Sequence, residues 1–361
     1  MKAIISGGGT GGHIFPAVAI AKAIRKKDPN AEILFVGAIG RMEMEKVPQQ
    51  GFEIIGLPIS GIQRRLTWKN LLVPVKVIRS LIKARMIVRN FKPDIAVGVG
   101  GYASGPLLKA ATAMGIPSLI QEQNSFAGIT NKLLAKRVNK ICVAYEGMDR
   151  FFPAHKIEIT GNPVRPELKN IVLTKEEACH HFGLDHSKPV IAAVGGSLGA
   201  ASINQAVQYF APFWVEKGWQ IIWQTGKNFD VDPLIAQLPG VVISPFIMEM
   251  NMLYAASDLV ISRAGAMSIA ELCAVGKPAV LVPSPHVAED HQTHNALALV
   301  RKEAAVLIKD HEIMVELGKC VGNLIQNDSL RAQLASNAHL MGVFDADERI
   351  ADIVFELARK V

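Results

Sequence analysis

Residues 3–13 read Ala3-Ile4-Ile5-Ser6-Gly7-Gly8-Gly9-Thr10-Gly11-Gly12-His13. A short apolar run stops abruptly in five glycines within six positions, and a helical stretch over 17–26 follows. Glycine lets backbone approach a ligand closely and adopt positive φ. The helix end behind it offers free N–H groups and partial positive charge to an anion. A strand, a glycine turn and a helix in this order predict the opening unit of a doubly wound α/β sheet.

Outward from this stretch the pattern repeats. Apolar, β-branched runs fall at 33–37, 95–99, 118–121, 140–143 and 157–160, then at 190–194, 220–224, 241–244, 259–262, 279–282 and 305–308. They are apolar throughout rather than alternating, as parallel strands buried on both faces require. The intervening stretches have helical length, so right-handed βαβ units are expected. The chain's 361 residues exceed the size of most single cores, which favours two domains. Phe151-Phe152-Pro153 and Gly161-Asn162-Pro163-Val164-Arg165-Pro166 mark the break as a turn-rich linker. The expected organisation is a domain over 1–163 and another over 164–340, each a Rossmann-like parallel sheet. Ligands are expected in a cleft between them, at the carboxyl ends of the strands.

Composition narrows the function. Half of the residues are hydrophobic and 20% are charged, which excludes a disordered chain. The four cysteines form no CxxC pair, so neither a zinc site nor a disulfide framework is indicated. No apolar run reaches the length of a spanning helix, and the first one is too short for a signal peptide. The net charge is +7, yet residues 54–93 hold nine Lys or Arg and no acid, which leaves −2 for the remainder. A local anionic partner is expected rather than nucleic acid. Trp68, Leu71, Leu72 and Val75 lie among Lys76, Arg79 and Lys83 in this segment. Apolar anchors beside cations describe a surface for anionic lipid.

Two more glycine loops follow strands: Gly98-Val99-Gly100-Gly101-Tyr102-Ala103-Ser104-Gly105-Pro106 and Gly195-Gly196-Ser197-Leu198-Gly199-Ala200. Three such junctions suggest repeated phosphate cradling. Gly7, Gly9 and Gly12 satisfy GxGxxG, but a dinucleotide site also wants an acid at the end of the second strand. That strand ends Phe35-Val36-Gly37-Ala38, without one. In Arg263-Ala264-Gly265-Ala266-Met267-Ser268-Ile269-Ala270-Glu271, Ser268 and Glu271 have the spacing of a capping box. Glu271 in a first helical turn could alternatively accept from two ribose hydroxyls.

Taken in order, Gly8-Gly9-Thr10-Gly11-Gly12-His13-Ile14-Phe15-Pro16-Ala17, Gly100-Gly101-Tyr102-Ala103-Ser104-Gly105-Pro106, Glu122-Gln123-Asn124, Gly161-Asn162-Pro163-Val164-Arg165, Gly195-Gly196-Ser197 and Arg263-Ala264-Gly265-Ala266 resemble the MurG family. These are bacterial UDP-N-acetylglucosamine transferases that convert lipid I to lipid II. The resemblance implies a GT-B fold, with the acceptor bound by the first domain, UDP-N-acetylglucosamine by the second, and the C-terminal helix (within 341–361) packed back on the first. It implies donor contacts from Thr10, Gly11, Gly12 and Asn124, and pyrophosphate contacts from Arg165 and Ser197. Ile247 would meet the uracil, Ala266, Met267, Ser268, Ile269, Ala270 and Glu271 the nucleotide, and Gln292 the sugar hydroxyls. The sequence departs from the family's usual residues at Gln121, often His, at Leu198, often Gln, and at Ala201, often Arg.

The implied reaction is inverting transfer of N-acetylglucosamine to the N-acetylmuramyl 4-hydroxyl of undecaprenyl-pyrophosphoryl-N-acetylmuramyl-pentapeptide. The acceptor hydroxyl must lose a proton, and His13 has the right unperturbed pKa for a general base. Glu122 and Tyr102 stand in reserve. His13 could instead only shape its loop or bind the donor phosphate. Arg165 and backbone N–H groups can hold the leaving diphosphate, so no obligatory metal is expected, with Mg²⁺ at most assisting. Asp230 and Asp232 match DxD, but beside Pro233 they read as a turn. The alternatives are another UDP-sugar-dependent glycolipid transferase, a UDP-sugar epimerase, or a non-catalytic nucleotide-binding protein. The expected location is the cytoplasmic face of the membrane, held peripherally by anionic phospholipid.

Overall fold

A computed structural model describes residues 1–59, 73–287 and 290–359. The chain forms two compact units. The first comprises Met1–Arg165 and Asp345–Val361, the second Pro166–Phe344.

The first unit is built on a seven-stranded parallel sheet. In chain order its strands are β1 (Lys2–Ser6), β2 (Glu32–Ala38), β3 (Glu53–Leu57), β4 (Ile95–Gly98), β5 (Ser118–Glu122), β6 (Lys140–Val143) and β7 (Ile157–Ile159), arranged β3-β2-β1-β4-β5-β6-β7. The order reverses at β1, between β1 and β4, the place where ligands bind at the carboxyl ends of such sheets. One face is covered by the helix Gly11–Lys27 and the final helix Ala346–Ala358, with Ile14, Ala17, Ile20, Ile350, Ala351, Val354 and Leu357 in a common core. Burying Ile350, Val354 and Leu357 contributes about 1.5–3 kcal/mol each. The other face carries the helix Val73–Phe91, through Ala84, Ile87 and Val88, and the helix Ser104–Ala113, through Leu107 and Leu108.

The second unit repeats the plan with β8 (Val190–Val194), β9 (Gln220–Gln224), β10 (Val241–Ser244), β11 (Leu259–Ser262), β12 (Ala279–Leu281) and β13 (Val306–Leu307), in the order β10-β9-β8-β11-β12-β13, all parallel. The four cysteines are free, and burial pushes the Cys142 and Cys273 thiols up to about 12.

Three elements differ from the sequence reading. β3 went unrecognised: it is an edge strand that opens on an exposed Glu53 and has Gly56 near its end. The first helix starts at Gly11 rather than at 17, because Pro16, a residue common at helix starts, lies inside it. Gly11, Gly12 and His13 therefore form the helix's first turn. The helix Ala266–Val275 is capped by Gly265, which puts Glu271 beyond the first turn and removes the capping box expected of Ser268.

Candidate active site

In the first unit the glycine loops pack backbone on backbone. A Cβ at Gly101, whose φ is +88°, would overlap the Gly8 main chain, and one at Gly7 would come 2.6 Å from the His13 carbonyl. Only glycine fits at either position. The His13 ring lies over Gly100, where a Cβ would stand 2.6 Å from its Cδ2. Its Nδ1–H donates to the Gly8 carbonyl at 3.1 Å. That bond selects the tautomer in which Nε2 keeps its lone pair. Desolvation pushes the imidazole below its ordinary value of 6.5, opposed by the Glu122 carboxylate, the bond to Gly8 and the Glu43 carboxylate. His13 is thus held neutral near pH 7, with Nε2 able to accept a proton.

Glu122 ends β5, and its carboxylate is fully occupied. Oε1 accepts from the Asn124 N–H (3.1 Å) and Nδ2 (3.2 Å); Oε2 accepts from the Gly128 N–H (2.9 Å) and Asn131 Nδ2 (2.9 Å). It is buried and shapes the loop bearing Asn124. Taking a proton on either oxygen would cost Glu122 the two hydrogen bonds that oxygen accepts, which argues against it as the reserve base. Beside it, Gln123 Nε2 donates to the Val99 carbonyl (2.8 Å) and to Gln121 Oε1, Gln121 Nε2 donates to Asn162 Oδ1 (3.1 Å), and Asn162 Nδ2 donates to the Gln123 carbonyl (3.0 Å). Position 121 is a buried amide in a lattice of amides. This lattice ties the second glycine loop, the Glu122-Gln123-Asn124 segment and Asn162 together. Tyr102 is 48% exposed on the second loop. The Arg165 guanidinium stacks on Phe15 at 3.8 Å from the ring centroid, in the helix whose N-terminus carries Thr10, Gly11 and Gly12.

Glu43 was missed in the sequence. It follows β2 by five residues, is 1% exposed, and accepts from the Gly9 N–H at 2.8 Å and the Ala38 N–H at 3.0 Å. An acid does therefore reach the tip of β2, although the strand itself ends without one. Its oxygens are spent on backbone, and the glycine at position 8 leaves it space. It is not placed to receive a ribose.

In the second unit, the third loop is pinned by a neighbouring turn: a Cβ at Gly199 would overlap the Thr225 carbonyl, and one at Gly226 the Leu198 carbonyl. Buried Gln224, the last residue of β9, donates from Nε2 to the Gly196 carbonyl (3.0 Å) and accepts the Ile247 N–H on Oε1 (2.8 Å). One amide thus sets both the loop bearing Ser197 and the backbone at Ile247. The Asn295 Nδ2 donates to the Ala264 carbonyl at 3.2 Å, joining the helix His291–Val300 to the turn before Ala266. Gln292 in that helix accepts the Ser284 N–H at 2.9 Å. Glu271 is 7% exposed and accepts from the Tyr254 hydroxyl at 3.3 Å. Arg263 donates to Asp310, Ser202 and the carbonyls of Val282 and Pro283. Burial would raise the Asp310 carboxyl, but the bonds from Ser202 and Arg263, with the latter's charge, hold it below its ordinary range. Asp232 caps the short helix Pro233–Ala236 by accepting the Leu234 N–H, which gives the DxD letters a structural use.

Family models match both units: the glycosyltransferase family 28 N-terminal domain over residues 3–143 and its C-terminal domain over 190–350. The chain belongs to glycosyltransferase family 28. Among family relatives, it is 53% identical over 363 residues, 99% of each chain, to the UDP-N-acetylglucosamine–N-acetylmuramyl-(pentapeptide) pyrophosphoryl-undecaprenol N-acetylglucosamine transferase of Parabacteroides distasonis. Against the enzyme of the same description from Phocaeicola vulgatus it is 54% identical over 366 residues, covering 100% of this chain and 97% of the relative. The crystal structure of Acinetobacter baumannii MurG superposes with a TM-score of 0.71 at 28% identity, over 98% of this chain and 99% of that one. A UDP-GlcNAc 2-epimerase from Neisseria meningitidis shares the fold alone, with a TM-score of 0.69 at 14% identity over 99% of this chain and all of the other. The two parallel-sheet units are the GT-B architecture expected of a family 28 glycosyltransferase.

Proposed function

We propose that this chain transfers N-acetylglucosamine from UDP-N-acetylglucosamine to the 4-hydroxyl of the N-acetylmuramyl group of undecaprenyl-pyrophosphoryl-N-acetylmuramyl-pentapeptide, with inversion. Identity above half over nearly the whole length of relatives described by that reaction carries the reading. The acceptor oxygen attacks the anomeric carbon opposite the departing UDP, and its proton passes to Nε2 of His13. The Nδ1–H bond to Gly8 orients the ring for this transfer. The leaving diphosphate is stabilised by N–H groups of the glycine loop at Ser197, by the N-terminus of the helix Ala201–Glu216, and by Arg165. Such donors act without reorganisation when they are fixed beforehand. Gln224 supports this reading, since it fixes loop and uracil-side backbone together. Glu271 would take the ribose hydroxyls, with Tyr254 orienting it, and Gln292 the sugar. Thr10, Gly11, Gly12 and Asn124 would complete the donor contacts.

The deciding measurement is UDP release from UDP-N-acetylglucosamine with and without a short-chain lipid I analogue. Release that depends on the acceptor is expected. Release indifferent to it would overturn the assignment in favour of an epimerase or a hydrolase.

The same reading places the protein peripherally on anionic lipid of the cytoplasmic leaflet. Trp68, Leu71 and Leu72 lie outside the described residues. Val75 is 51% exposed, and Ile78, Ile82 and Met86 continue from it at helical spacing with 58%, 58% and 59% exposure. Arg79, Arg85 and Arg89 are exposed on the same helix. Lys83 instead donates to the Gly56 carbonyl at 2.8 Å. No helix among the described residues is long and apolar enough to cross a membrane.

A further inference from the structure

The Gly8 carbonyl and the Gly9 N–H belong to one peptide group, whose atoms lie in a plane with the two polar bonds pointing opposite ways. On one side the N–H donates to Glu43 Oε2 at 2.8 Å. On the other the carbonyl accepts from His13 Nδ1–H at 3.1 Å. A carboxylate, a peptide and an imidazole therefore stand in a row. We propose that Glu43 is a positioning residue for His13, acting through the Gly8–Gly9 peptide as an aspartate acts directly on histidine in a hydrolase triad. The inference rests on the reading of His13 as the general base.

A hydrogen bond donated to a carboxylate draws electron density toward the carbonyl end of the same amide, so successive bonds in a chain reinforce one another. The polarised Gly8 oxygen then holds Nδ1–H more tightly. It fixes the tautomer and stabilises the imidazolium that forms when Nε2 takes the acceptor's proton. The second carboxylate oxygen is anchored by the Ala38 N–H at 3.0 Å, so Glu43 cannot turn away from the loop. Glycine at positions 8 and 37 makes room for it, since a Cβ at either would collide with the Glu43 side chain. Two charged groups act on the ring: Glu43 from the helix Glu43–Lys46 and Glu122 from β5. Glu122 has all its hydrogen bonds elsewhere and contributes only its field. Glu43 alone is joined to the ring through bonds.

The test uses the full chain, with Glu43→Gln, Glu43→Asp and His13→Ala. Nitrogen NMR of the His13 ring gives its tautomer and titration, and UDP release with the lipid I analogue gives kcat and KM. In Glu43→Gln, a folded variant should show the Nδ1–H tautomer less populated, the His13 titration moved to lower pH, and kcat down about 10-fold or more at little change in donor KM. Glu43→Asp keeps the charge but draws the carboxylate back from the Gly9 N–H, so its titration should fall between those of wild type and Glu43→Gln. Unchanged tautomer and titration in Glu43→Gln would overturn the relay, whatever happens to kcat. If Glu43→Gln fails to fold, the comparison of Glu43→Asp with wild type decides the question: a titration that responds to the shortened side chain supports the relay, and one that does not sinks it. Full activity in His13→Ala would sink the base while the wild-type ring's tautomer still reported on the relay, so the two failures are separable.

Discussion

Two effects of opposite sign meet on the His13 imidazole, the proposed general base. Desolvation disfavours the charged ring, while Glu122, the Gly8 carbonyl and Glu43 favour it, and desolvation is the larger. The group is neutral over most of the physiological range, so activity should be present above its pKa and lost as pH falls through it. The acid limb of kcat/KM against pH should inflect below 6.5, and His13→Ala should abolish that limb and lose about 10²–10⁴-fold in kcat. At the donor end, Glu271→Gln should raise the dissociation constant of UDP-N-acetylglucosamine about 10-fold or more, measurable by calorimetry, as loss of a charge-assisted hydrogen bond of about 1.5–3 kcal/mol predicts. Binding as tight as wild type would remove Glu271 from the ribose. His13 stood out as a candidate in the sequence because it ends a glycine run. Glu43 and Gln224 did not, because each works by bonding to backbone of another segment, Glu43 from the helix after β2 and Gln224 from the end of β9, and spacing carries no trace of that.

Elements were readable where their pattern was undiluted. The runs at 140–143, 190–194, 220–224, 241–244 and 259–262 match β6, β8, β9, β10 and β11 to the residue; β6, β8, β9 and β11 are interior strands with near-continuous apolar runs, and β10, an edge strand, is marked by its unbroken Val241-Val242-Ile243. β3 escaped because its apolar run is only Ile54-Ile55, between the exposed Glu53 and Gly56. Helix ends failed for a different reason: Pro16 and Ser268 carry local signals that tertiary packing overrides. The last helix is held by an apolar stripe, with the ion pairs Lys26–Glu348 and Lys27–Asp352 exposed and adding little. Ile350→Ala should therefore destabilise the first unit by about 2–5 kcal/mol in denaturant unfolding, whereas Glu348→Ala should change it by less than about 1 kcal/mol.

For the molecule as a whole, the uneven charge matters more than its total of +7. Binding to vesicles containing phosphatidylglycerol should be strong at low salt and weaken as ionic strength rises, each exposed cation contributing about 1 kcal/mol near the surface. Ile78→Asp with Ile82→Asp should reduce flotation with such vesicles while leaving transfer to a soluble acceptor analogue intact. Equal flotation of wild type and variant would rule out this helix as the anchor. The basic stretch was visible in the sequence by its missing acids. The exposed row continuing from Val75 was not, since the same spacing describes a buried face until a neighbouring element shows which side is covered.

The first unit is completed by residues that the ribosome makes long after the rest of it. Its sheet is finished at β7, but the helix Ala346–Ala358 that covers Ile14, Ala17 and Ile20 arrives only after the whole of Pro166–Phe344 has been translated. At about 5–20 residues per second that interval is on the order of 10–40 s. During it the nascent first unit carries an open apolar groove while the second unit, whose segment is continuous, is free to fold behind it. The order of assembly is therefore the reverse of the order of synthesis: the unit begun first can close only after the whole of the second has been made.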